Sequence, residues 1–352
     1  MAQLRSLNAM TIPSIKNTAG VIVDPTKVLS GTVISGIAGT VPNQGTLYAT
    51  TPGVYPAGYY SGIHFSGWTT IASDTTPRCE LAAAYDSSAN LTYAIDGANG
   101  PIATVTAYSH SSNSWTAIAS DTTARDALAA AYDSSANLTY AIDGGNGSLL
   151  ATVTAYSHSS NSWTAMMNDT TTRYFLAAAY DSSASLTYAI DGYNGSTLAT
   201  VTAYSHSSNS WTAIASDTTA RWCLAAAYDS SANLTYAIDG YNSSSYLATV
   251  TAYSHSSNSW TALASDTTAR YELAGAYDSS ANLTYAIDGY NSSSYLATVT
   301  AYSHSSNSWT AMTNENMIRC ELAAAYDSSA NLTYAIDGAS SGIYTLVTAY
   351  LH

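Results

Sequence analysis

The chain has 352 residues and a formal charge of −14, with only 9% of its residues charged, against about 25% in an average soluble domain. Its polar surface must then come from hydroxyls and amides, a texture common in extracellular β-structures and virion proteins. Beyond residue 67 six arginines stand against 22 acidic groups, which argues against a nucleic-acid partner, and no window approaches the ~18 apolar residues of a membrane span.

The N-terminus, MAQLRSLNAMTIPSIKN, lacks the apolar stretch and cleavage site of a signal peptide, so synthesis and folding in a cytoplasm are expected. Residues 1–67 hold five of the seven prolines and short β-like pieces such as GTVISGIAGTV, and read as a small β-rich domain. The run from Leu29 to Gly62 carries Leu29-Ser30-Gly31, Gly36, Gly39-Thr40, Pro42-Asn43-Gln44-Gly45, Thr51-Pro52-Gly53, Pro56-Ala57-Gly58-Tyr59 and Gly62. This pattern resembles a module of bacteriophage tail and fibre proteins. The resemblance implies that residues 1–67 attach the rest of the chain to other virion proteins as a homo-oligomer, displayed on the particle outside the host. The bland alternative is a turn-rich linker or cap.

Residues 68–352 are six copies of one unit. Tryptophans at 68, 115, 163, 211, 260 and 309, arginines at 78, 125, 173, 221, 270 and 319, and the Asp of Ile-Asp-Gly at 96, 143, 191, 239, 288 and 337 all advance in the same register. Within a unit, taken in chain order from Leu81, the runs LAAAY, LTYAI, ATVTAY and WTAIA suit four strands separated by turn-rich segments. Nothing reads as a helix. Four strands per unit and six units predict an all-β, six-bladed propeller. The Ala-rich strand belongs at the crowded axis and the Trp strand at the rim. The repeat opens on its fourth strand, and the chain stops after a third. Pairing of Trp68–Ala72 with the C-terminal strands therefore closes the ring and leaves no bare edge.

The order of Trp, Arg, strand, Asp-Gly and V-T-A-Y-S-H-S-S-N-S-W resembles the kelch repeat over all six units, with Asp-Gly where kelch blades carry Gly-Gly. That fold hosts adhesins, scaffolds and enzymes, so it implies architecture more than activity.

Comparing units within the chain separates two constant turns, DSSAN and SHSSNS, from two varied stretches. One follows the arginine and the other follows the Asp-Gly glycine, and both are expected on one face. That face carries Tyr174, Phe175, Trp222, Tyr271, Tyr193, Tyr241, Tyr246, Tyr290, Tyr295 and Tyr344, interspersed with Asn194, Asn242 and Asn291. Rings with amides among them suit a host-surface glycan or protein as ligand, and drift after duplication does not favour Tyr and Trp. The Arg ring (Arg78, Arg125, Arg173, Arg221, Arg270, Arg319) and the Asp ring (Asp96, Asp143, Asp191, Asp239, Asp288, Asp337) are expected to fix the loops, with Arg78 in reach of Asp96. A charged funnel is the alternative.

His110, His158, His206, His255 and His304 repeat around the ring too far apart to share an ion, so no metal and no cofactor are expected. Cys79, Cys223 and Cys320 read as free thiols. No singular acid–nucleophile constellation stands out, and a non-enzymatic binding protein of a virion is the leading expectation. A structural or decoration protein of tail, neck or capsid comes second, and a glycan-cleaving enzyme third. Aromatics on the rim favour the first, flat contacts with neighbouring chains the second, and a carboxylate pair deep in the funnel the third.

Overall fold

In the computed structural model, residues 67–351 are described in full, and before them only the backbones of four strands. Of those four, Val33–Ile34 pairs antiparallel with Ile37–Ala38, and Asn43–Ala49 pairs parallel with Tyr59–Phe65. The attachment and oligomerisation expected of residues 1–67 lie outside the described residues. The chain divides into two units at Gly67/Trp68.

Residues 68–350 form six antiparallel four-stranded sheets. In the first blade the strands are Ala82–Asp86, Leu91–Ile95, Val105–Ser109 and Ser114–Ala117, side by side in chain order. The β-branched and aromatic residues of LTYAI and VTAYS favour extended backbone, and both of these strands are buried almost throughout. The Ala-rich first strand alternates buried and half-buried positions, while in the fourth only the tryptophan is buried. Crowding at the axis is visible at Gly275, where the other blades carry alanine: a Cβ there would stand 2.9 Å from the Ala225 Cβ.

The ring closes as the arithmetic of the repeat requires. Gly67–Thr70 joins Ala323–Asp327, Leu332–Ile336 and Val347–Leu351 as the fourth strand of the sixth blade. It ends two residues short of the expected Ala72. Each repeat tryptophan then clasps the preceding blade: its indole N–H donates to a loop carbonyl there, as Trp115 does to Ala72 at 2.9 Å and Trp68 to Thr313 at 3.1 Å.

The constant DSSAN turn has a mechanical reason for its constancy. The Asp86 carboxylate accepts from the Ser88 and Ala89 N–H groups and from the Tyr93 hydroxyl. Burial alone would raise this acid, but these donors with the Ser88 and Tyr132 hydroxyls hold it below the usual carboxylate range. Asn90 sits in the left-handed region (φ 57°) and accepts from Tyr85, while in five of the six turns a serine reaches the next blade's Asn, up to Ser329–Asn90 across the closure. Blade three departs, with Ser185 at φ 53° in place of Asn. Its Tyr180 hydroxyl has no partner among the described residues.

Ser185→Asn is therefore expected to stabilise the protein. Asn is favoured at positive φ, and its side chain would give Tyr180 and Ser135 an acceptor. At about 0.5–1.5 kcal/mol per bond, a gain of about 1–2 kcal/mol should appear in the denaturant midpoint.

Candidate functional site

The two varied stretches are one structure. The residue after each arginine pairs with the residue after each Asp-Gly glycine: Cys79 with Ala98, Tyr174 with Tyr193, Trp222 with Tyr241, Tyr271 with Tyr290, Cys320 with Ala339. Asp-Gly makes this hairpin possible. Asp96 takes a left-handed φ of 54°, and a Cβ on Gly97 would stand 2.8 Å from the Cys79 carbonyl. The aspartate side chain at this turn is directed at an arginine.

That arginine corrects one expectation. The Asp96 side chain does not meet Arg78; it lies 3.2 Å from Arg125, the arginine of the next blade. Five further pairs repeat this between blades, closing with Arg78 and Asp337. Arg78 donates instead to the Asp96 backbone carbonyl and to the Thr104 carbonyl. Each guanidinium also holds an acid four residues earlier at 2.5–2.9 Å: Asp74, Asp121, Asp169, Asp217, Asp266 or Glu315. This second ring reads in the sequence as part of a turn. All of these side chains are sealed from solvent, so the rings fasten blade to blade and open onto no funnel. Burial and the second acid push the Asp-Gly aspartates well above the usual carboxylate range, and the arginines only partly offset it.

The second residue after each arginine faces the axis. Glu80, Ala127, Phe175, Cys223, Glu272 and Glu321 all have φ between 51° and 56°. Their backbones form a closed circle: each N–H donates to the carbonyl of the equivalent residue in the preceding blade at 2.7–2.9 Å, from Ala127 to Glu80 round to Glu80 and Glu321. Inside that circle lies a pocket of about 110 Å³ lined by these six residues and by the leucine that follows each. Three of the six are glutamates, and the three thiols Cys79, Cys223 and Cys320 are buried beside them. Burial, with Glu321 and other acids near, pushes Glu80 up to about 8 and Glu272 up to about 7. The sequence displays these residues only as members of a varied pair; alternation outward and inward along the pair was the available signal.

A folded-state carboxyl raised from 4.5 to about 8 retains a proton that the unfolded chain has lost. Its stabilising contribution is complete below the lower value and lost as pH rises through the upper one. Glu80→Gln, neutral throughout, should match the wild type below pH 4.5 and exceed it above pH 8 by about 1–3 kcal/mol after allowance for partial exposure. Urea unfolding at both ends of that window measures the difference.

Of the ten varied-face aromatics, nine are brought together. Tyr174, Phe175, Tyr193, Trp222, Tyr241, Tyr246, Tyr271, Tyr290 and Tyr295 form one continuous run of ring contacts with centroids 4.7–6.4 Å apart, within the favourable aromatic range. The run crosses the loops of the third, fourth and fifth blades. Tyr344, in the sixth, lies outside it and bonds Ser340 instead. Most of these rings are half-buried against one another rather than free, and Tyr295 is the most open at 36%. The amide oxygens of Asn242 and Asn291 accept from serine N–H groups of their own loops. They hold turns as well as lining the face.

The histidines are turn residues with a use: His206, His255 and His304 bond Tyr140, Tyr188 and Tyr236 of the neighbouring blade at 2.8–3.1 Å.

No protein-family model matches the sequence, and no curated protein matches it. Among solved structures the chain is similar to that of YjhT, with a TM-score of 0.66 and 14% identity, covering 79% of this chain and 95% of that one. A likeness at that identity is one of fold.

Proposed function

We propose that the chain is a kelch-type, non-enzymatic binding protein of a bacteriophage virion, attached through residues 1–67, that recognises a host-surface glycan or protein with its varied propeller face. The observation that carries this reading is asymmetry. Two turns are repeated almost unchanged around the ring, yet nine aromatic rings are gathered over three adjacent blades. A structural ring has no need of that concentration, whereas a planar, amphipathic ligand does. Packing of the rings against one another fixes their positions before the ligand arrives and lowers the entropy lost on binding. Copies on one particle would add avidity.

The second reading is a structural or decoration role in tail, neck or capsid, favoured by the half-buried state of the same rings, which also suits docking on another virion protein. Glycan cleavage fits less well. Glutamates do line the axial pocket, but about 110 Å³ falls well below the ~300 Å³ at the small end of ligand pockets.

The test compares labelled full-length protein with a variant carrying Tyr174→Ala, Trp222→Ala, Tyr271→Ala and Tyr290→Ala, over bacterial cells and their surface glycans. Selective binding that falls by about 30-fold or more, the scale of a lost hot spot, is expected while the fold is retained. A His110→Ala, His158→Ala variant on the constant face should bind as the wild type does. No binding, even by protein clustered into multimers, would move the assignment to the structural role.

A further inference from the structure

We propose that the edge of the axial pocket carries a binding site for one thiophilic divalent cation of the zinc class, held by Glu272 and Glu321 from its lining and Cys320 beside them. A ligand atom from each of the three lies within 4.8 Å of the others. In a tetrahedral zinc site, bonds of about 2.0–2.3 Å bring ligand atoms roughly 3.3–3.8 Å apart. Side-chain rotations of the order of one ångström suffice to close the cluster on an ion.

The backbone beneath these side chains is already fixed. Glu321 N–H donates to the Glu272 carbonyl at 2.9 Å as part of the axial circle, and Cys320 is paired with Ala339. Two loops from adjacent blades therefore present three ligands without further ordering of the chain. Further donors stand close by: Cys223 Sγ is 4.0 Å from a Glu272 carboxylate oxygen, and the Cys79 thiol reaches the Glu321 side chain. The fourth zinc position is left for water.

The charge of the pocket points the same way. Glu80, Glu272 and Glu321 line it, and among the described residues no Lys, Arg or His does. The six buried arginines are committed to their own acid pairs. A small acidic pocket without a cationic side chain is poorly suited to an anion or a sugar ring and well suited to a compact cation. The thiol separates zinc from calcium, which takes six to eight oxygen ligands. At the axial position itself, ligating residue types are confined to one arc, Cys223, Glu272, Glu321 and Glu80. Glu272, Cys320-Glu321 and Cys79-Glu80 are consecutive around the ring, whereas the loops into the second and third blades place Ala127 and Phe175 at the axis. Repetition of the unit does not produce that arc; substitution within the copies does. On binding, the Cys320 thiol gives its proton to solvent and the thiolate takes the metal.

The test uses the full chain, stripped with chelator and dialysed, and Co²⁺ as the probe. One Co²⁺ per chain is expected, with the near-ultraviolet charge-transfer band of a cobalt–thiolate bond, and Zn²⁺ should displace it. Cys320→Ser should abolish the band, and Glu272→Gln and Glu321→Gln should each weaken binding at least tenfold. Zn²⁺ should raise the unfolding midpoint of the wild type and leave that of Glu272→Gln unchanged, which keeps the test open should Cys320→Ser fold poorly. Absence of a thiolate band at millimolar Co²⁺, a band that persists in Cys320→Ser, or Ca²⁺ matching Zn²⁺ in the midpoint shift would each overturn the assignment.

Discussion

Asp217→Asn is expected to cost about 3–5 kcal/mol of stability, the range for breaking a buried ion pair by removing one partner, while Asp191→Asn costs less than about 1 kcal/mol. Both acids flank Arg221, yet their positions differ. Asp217 lies 2.6 Å from the guanidinium and also accepts from the Thr251 hydroxyl at 3.0 Å and the Thr218 N–H at 2.6 Å. Its replacement by a neutral amide takes the nearer of two carboxylates from a guanidinium with no exposure to water, and a buried charge that loses its closest counter-charge is the costly case. Asp191 stands farther off, at 3.4 Å, and neither of its oxygens has a hydrogen-bond partner among the described residues. Burial and the neighbouring Asp217 push its carboxyl well above the usual carboxylate range, which disfavours its charged form. Asparagine matches the carboxyl group in shape without the charge, and it tolerates the left-handed φ of 58° found there. Guanidinium unfolding of the two single variants decides the matter. Equal costs would show that both acids carry charge in the folded state.

Trp68→Ala carries the second large effect, because it acts where the ring is joined. Trp68 packs on Tyr350 at a centroid distance of 5.3 Å and belongs to a core with Tyr285, Ile287, Val299 and Leu322. Its indole holds Thr313, and its carbonyl accepts from the Asn316 side chain. Truncating a buried tryptophan costs about 3–5 kcal/mol. Trp115 makes the corresponding contacts, with Tyr108 at 5.2 Å and with Ala72, and should cost a similar amount. The two differ in topology. Trp115 sits in a sheet made of consecutive strands, whereas Trp68 lies on a strand contributed from the far end of the sequence. Amide exchange in Val347–Leu351 is thus expected to accelerate in Trp68→Ala and to remain slow in Trp115→Ala, since only the first loosens the clasp.

The fold was readable because the repeat is nearly exact in copy and its ends are complementary. Three equally spaced series fix the unit, and an unpaired first strand with a missing last one fixes the closure. What alternation and spacing could not reveal was contact between blades. Counting along a hairpin sets Asp96 near Arg78, and their strands are indeed neighbours, but the left-handed backbone at Asp96 turns its carboxylate toward Arg125. The acid four residues before each arginine gives no sequence signal for a related reason. In an S-D-T-T context an aspartate reads as a turn residue, and only the fold shows Asp217 against Arg221. At the candidate site the aromatic residues were legible as exceptions to a repeat. Their junction into one run was not, nor was the axial circle, because non-glycine residues such as Glu272 and Phe175 give no sequence sign of a positive φ.

On the proposed function the aromatic run is a recognition surface. The most direct measurement is the affinity of full-length protein for whole cells of susceptible and resistant bacteria, wild type against Trp222→Ala with Tyr271→Ala. Saturable binding to susceptible cells alone is expected, weakened by about 30-fold or more in the double variant with unfolding midpoints still well above the assay temperature. Undiminished binding by a folded double variant would contradict it and place recognition elsewhere on the chain.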